Sequence, residues 1–179
     1  RALQQQVAKV TRFHGSQAFG YMFSPGHEPL RRQVAIRMRD AGVVVAPADV
    51  VITHGCTDAV HMTLRVMTQP GDLIAVESPT YYGLLQVADL LGLKVIEIPS
   101  DANTGISLEA LQLAASQWSI KALVLTARVS NPMGGTLPEA RQRELLRLAE
   151  SHDLQIIEDD IYGELMFDEG ASRALKAFD

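Results

Sequence analysis

Apolar residues along this chain follow two rhythms. Leu3, Val7, Val10 and Phe13 fall at helical intervals and predict a short amphipathic helix that ends near Gly15. Residues 19–26 read as a loop from their Gly, Ser and Pro content, and a second helix is expected over 28–42, with Gly42 as its stop. From Val50 onward, short apolar runs of strand character, at 50–53, 73–77, 94–98, 122–126 and 154–158, alternate with helical patterns at 58–67, 82–91, 108–117 and 138–152. Apolar strands joined by helices imply a mainly parallel sheet covered on both faces. The expectation is an α/β fold, a three-layer α/β/α domain, with N-terminal helices and a loop over 1–48 and the alternating β/α core over 49–179. No internal repeat, low-complexity tract or linker marks a second domain.

Composition adds limits. The 179 residues, 47% of them apolar, suffice for one buried core. A net charge of -5 provides no positive field to hold nucleic acid or an anionic membrane surface. The single cysteine, Cys56, cannot pair internally, and the five histidines lack the spacing of a structural metal site. A reducing, cytoplasmic setting fits best, since no run approaches the roughly 20 apolar residues of a membrane span. The chain begins at Arg1 and stops at Asp179 without a terminal signal, so it is expected to be a piece cut from a longer protein.

Ligands of such sheets sit outside the C-terminal ends of the strands, so the loops there carry the chemistry. In the first, Gly55, Cys56 and Thr57 open a helix whose unpaired N–H groups could cradle a phosphate. Thr57 and Asp58 also read as an ordinary helix cap. Asp58 is a poor neighbour for a phosphate unless it faces away. The second loop, 77–83, offers Tyr81 as a ring to lie against a flat ligand. The fourth strand leads to Asn131, whose amide can donate to a phenolate oxygen, although Asn-Pro favours a turn by itself. The fifth ends in three acids, Glu158, Asp159 and Asp160, which places negative charge in the expected crevice.

In this order the loops resemble the cofactor pocket of fold-type-I enzymes dependent on pyridoxal 5'-phosphate (PLP), the aspartate-aminotransferase superfamily. The resemblance implies that Asp159, three residues before Tyr162, pairs with the pyridine nitrogen, while Tyr162 and Asn131 bond the ring's 3-oxygen. It also implies that Tyr21, followed by Gly26, reaches the phosphate of a neighbouring subunit, making the unit a homodimer. The wording of residues 52–56, 77–83, 158–163 and 176–179 is similar to the aminotransferase-like half of MocR-type regulators of the GntR family. In those proteins a winged-helix DNA-binding domain precedes this fold. Residues Ala127, Arg128 and Val129 depart from the apolar or Pro/Asn-containing stretch expected there.

The resemblance further implies a Schiff-base lysine a few tens of residues beyond Tyr162, in a segment this chain does not contain. Lys176 lies too early and reads as a solvated charge. The expected activity is therefore PLP binding in the parent protein, with no catalytic residue in this segment and weak or no binding by the segment alone. Two functions compete: a regulator's domain sensing an amino acid or amine, and an autonomous aminotransferase acting on an amino acid and a 2-oxo acid. A third, weaker reading assigns a nucleotide to the turn at 55–58, but no glycine-rich fingerprint supports it.

Overall fold

The computed structural model describes residues 1–167 and 173–179, and of residues 16–18 only the backbone. Among the described residues six α-helices and five strands follow in the order α1 (Ala2–Ala18), α2 (Glu28–Asp40), α3 (Cys56–Met67), β1 (Leu73–Ser78), α4 (Tyr82–Leu90), β2 (Lys94–Asp101), β3 (Gly105–Ile106), α5 (Leu108–Gln117), β4 (Ile120–Leu125), α6 (Glu139–Ser151) and β5 (Gln155–Glu158). The sheet order is β3-β2-β1-β4-β5. β1 pairs in parallel with β2 and β4, and β4 with β5, while β3 adds an antiparallel edge.

Because β1 lies between β2 and β4, successive crossovers leave it in opposite directions, and the β1/β4 boundary is the topological switch point of the sheet. Strand alternation sends Ile74 and Val76 to one face, where they pack with Val60 and Leu64 of α3 and Val87 and Ala88 of α4. Ala75 and Leu123 point to the other face, against Leu111 and Ala114 of α5 and Leu145 and Ala149 of α6. These are the three layers. Both faces of the central strands are buried over 74–76 and 122–125, which explains why β1 and β4 read there as continuous apolar runs.

Two expectations need correction. Residues 50–53 form no strand; they run as extended chain beside the loop of Pro25 and Gly26, where Ile52 donates its N–H to the Pro25 carbonyl at 2.9 Å. A β-branched apolar run becomes a strand only where a neighbouring strand meets its ladder, and here a loop takes that place. The edge strand β3 was not anticipated. It follows a tight turn in which the Asp101 carboxylate accepts the N–H of Asn103 at 2.8 Å, a local bond that reverses the chain. At the N-terminus, α1 runs to Ala18, but Gly15 leaves helical geometry (φ 18°, ψ −107°), close to the predicted end.

Candidate functional site

At the switch point, a cleft of about 180 Å³ opens over the C-terminal ends of β1 and β4. Six of the eight residues singled out from sequence line it: Cys56, Thr57, Tyr81, Asn131, Asp159 and Tyr162. They come from four loops spread over a hundred residues of sequence. Gly55 is not on the wall but caps α3 at φ 113°, a backbone conformation that favours glycine. Tyr21 lies elsewhere, 97% exposed, and so is not packed on its own core.

The α3 end of the cleft suits an anion. The first N–H groups of a helix have no intrahelical partner, and in α3 the ladder begins only with Ala59 donating to Gly55 at 3.1 Å. Asp58, the awkward neighbour, accepts the His54 N–H at 3.0 Å. Its carboxylate is thus engaged behind the turn. Among the described residues no lysine or arginine lines the cleft, so the helix end is the positive element there.

Asp159 defines the opposite wall. Its Oδ1 accepts from the Cys56 thiol at 3.2 Å and from the Ile161 N–H at 3.2 Å, which ties the fifth-strand loop to the start of α3. A thiol at a helix N-terminus usually turns acidic. Here burial, with the bond to Asp159 and its negative charge, pushes Cys56 up to about 12, so it remains a protonated donor.

The acidic run proves divided. Asp159 follows Ile157 onto the α3/α4 face, whereas Glu158 and Asp160 alternate with Ile156 to the other side, so the crevice receives one of the three acids rather than all. Glu158 accepts the N–H groups of Leu175 at 2.6 Å and Lys176 at 3.0 Å, and burial raises its pKa. Asp160 meets the buried guanidinium of Arg128, with Nε at 2.8 Å from Oδ1 and Nη2 against Oδ2.

The cleft also holds residues beyond the predicted six, and one of them is a carboxylic acid. Glu77, at the end of β1 and only 4% exposed, accepts the Thr126 N–H at 2.7 Å. Its side chain continues the β1/β4 seam where backbone pairing has ended, and burial raises its pKa. The signal was present: an acid closing a fully apolar strand needs a buried partner.

Comparison with known proteins shows the family and the fold. The family model for aminotransferase class I and II matches residues 2–177. The chain belongs to that family. Among its relatives, the uncharacterized HTH-type transcriptional regulator YjiR of Escherichia coli (strain K12) is 42% identical over 179 residues, which are 100% of this chain and 38% of that protein. Aromatic-amino-acid aminotransferase 1 of Thermococcus litoralis is 34% identical over 176 residues, covering 96% of this chain and 42% of that enzyme. Among solved structures, LysN, the α-aminoadipate aminotransferase of Thermus thermophilus complexed with N-(5'-phosphopyridoxyl)-L-leucine, superposes with a TM-score of 0.87 at 30% identity, over 94% of this chain and 42% of that one. The chain thus spans well under half the length of each, and its relatives in the class I and II family include both HTH-type regulators and aminotransferases.

The residues of the cleft fit the cofactor found in that structural neighbour. A helix end free of side-chain bonds can receive a phosphate, and a carboxylate held by neutral donors can face a cationic ring nitrogen. Tyr81 stands at the rim with Gly83 under its ring, where any Cβ would collide with Cε1.

Proposed function

We propose that this chain is part of the PLP-binding, aminotransferase-like domain of a GntR/MocR-type transcriptional regulator, in which the cofactor meets an amino acid or amine effector in the switch-point cleft. The observation that carries the reading is the carboxylate of Asp159 sharing one small cleft with the open end of α3. On this reading Gly55, Cys56 and Thr57 hold the phosphate through backbone N–H groups and the Thr57 hydroxyl. Asp159 sits opposite the ring nitrogen and keeps its proton in place. Tyr162 and Asn131 donate to the 3-oxygen, and Tyr81 covers the ring. Tyr21, fully exposed, reaches the phosphate site of a second subunit in a homodimer.

Bound PLP supplies an electron sink for charge at the substrate α-carbon. The chain's own residues bind and orient it. None of the four lysines, Lys9, Lys94, Lys121 and Lys176, lines the cleft, so these residues offer no amine for a covalent attachment and the segment alone binds PLP weakly. With a net charge of -5 it also leaves DNA to a winged-helix domain outside this segment, in a cytoplasmic protein. Similarity to YjiR supports the regulatory reading. Similarity to the Thermococcus litoralis enzyme supports the alternative, an autonomous amino acid aminotransferase using the same pocket.

The test is Asp159→Ala in the full-length protein, followed by PLP titration and the absorbance spectrum of the bound cofactor. Weaker binding with an altered spectrum is expected; unchanged affinity and spectrum would remove the basis of the assignment. A basic winged-helix sequence upstream of Arg1 decides for the regulator, and a start methionine within a few tens of residues decides for the free enzyme.

A further inference from the structure

The wall opposite the cleft holds a pair that the proposed chemistry does not use. Arg128, 4% exposed, grips Asp160 side-on through Nε and Nη2, a bidentate geometry open to arginine and not to lysine. Both residues line a broad groove beside α2, on the face of the sheet away from Asp159. Neither can touch a ligand in the cleft. A buried ion pair contributes little to stability compared with apolar groups of the same shape, so its place here calls for a geometric reason.

That reason lies in what the two residues adjoin. Asp160 is bonded covalently to Asp159 and lies two residues before Tyr162. Arg128 precedes Asn131 by three residues, in a loop where the β-branched Val129 is held at φ 54°, a conformation such residues avoid. The pair therefore ties the loop after β4 to the loop after β5, and those loops carry three of the groups that converge on the cleft. Gly163 completes the fit: a Cβ there would collide with both Arg128 Nη2 and Asp160 Oδ1. A side chain at 163 would force the pair apart.

We propose that the Arg128–Asp160 pair is a positioning device, which sets Asp159, Tyr162 and Asn131 for the cofactor ring from the far side of the sheet. The proposal rests on the PLP reading of the cleft and adds residues that the reading leaves out. Asp159 and Asp160 follow directly on β5 with one lining the cleft and the other the groove, so fixing the side chain of Asp160 fixes the direction of its neighbour.

The experiment uses the full-length protein with Arg128→Lys, which keeps the charge and loses the fork, and the apolar double variant Arg128→Met/Asp160→Leu. PLP affinity and the pH titration of the bound cofactor's absorbance are measured beside thermal unfolding. Loss of one charge-assisted bond predicts binding weakened about tenfold in Arg128→Lys, with a displaced pH titration; a lowered melting temperature is expected from the weakened pair itself and does not count for the positioning role. The double variant is expected to show the same displacement if it folds, and Arg128→Lys decides the matter if it does not. Wild-type affinity and titration in Arg128→Lys would overturn the proposal. Asp159→Asn, run in parallel, separates the two failures: if it changes the titration while Arg128→Lys does not, only the positioning role falls, and if neither changes it, the cofactor reading falls as well.

Discussion

Strand β1 and the arm formed by residues 1–23 both carry regularly spaced apolar residues, yet they meet opposite fates. Ile74, Ala75 and Val76 are 0% exposed, with strands to either side and helices above and below. Leu3, Val7, Val10 and Phe13, spaced just as regularly along α1, stay open to solvent, and so do Phe19, Tyr21 and Phe23 after it. The difference lies in the partners and not in the pattern. Periodicity states which side of an element seeks cover; it does not state that the same chain supplies it.

The largest test of that contrast falls in the sheet. Leu123, fully buried at the centre of β4, is surrounded by the side chains of α5 and α6 and by neighbouring strands. Leu123→Ala should cost about 2–5 kcal/mol in urea unfolding, the transfer term plus the cavity left in a layer that cannot collapse. A loss below about 1 kcal/mol would mean that the two faces of the sheet are not packed as described.

A smaller effect comes from the boundary between core and cleft, where Glu77 is buried near Asp159, with the Thr126 N–H and the side chains of Thr126 and Ser100 as partners. Burial raises its folded pKa, so the folded chain holds more protons than the unfolded chain between the two values, and stability falls as pH rises through that window. Below the ordinary glutamate range the penalty is absent. Glu77→Gln keeps an oxygen for the Thr126 N–H and removes the charge, so this variant should be more stable than the parent at pH 7, by less than the Leu123 loss. The two should converge toward pH 4. An advantage that grows on acidification would reverse the assigned sign.

How far the sequence discloses all this follows the same division. Helices α3 to α6 and the strands β1, β2, β4 and β5 begin and end close to where periodicity and punctuation put them, because each has a covered face of its own. The segment at 50–53 misled, since its β-branched residues fit a ladder that the described residues do not provide. In the cleft, six residues were legible because loops at strand ends are few and their order is informative. Glu77 and the Arg128–Asp160 pair were harder to foresee. Their partners lie 49 and 32 residues away, and only the crossover geometry brings them together. Even so, the departure at Arg128 and the surplus acid at Asp160 were two halves of one signal.

The arm should give the smallest response in stability and the clearest in association. Phe13 sits on the apolar side of α1, and its ring carries Arg12 5.8 Å above it rather than any core residue. Removing it takes little contact from the folded chain, so Phe13→Ser should leave urea unfolding within about 0.5 kcal/mol of the parent. The exposed stripe of Leu3, Val7, Val10 and Phe13 is nonetheless a surface that water disfavours, and covering it by a second molecule releases that cost. Sedimentation over a concentration series should therefore show weaker self-association for Phe13→Ser than for the parent. A drop in unfolding free energy above about 1 kcal/mol would instead mean that α1 packs on its own chain, and the contrast with β1 would disappear.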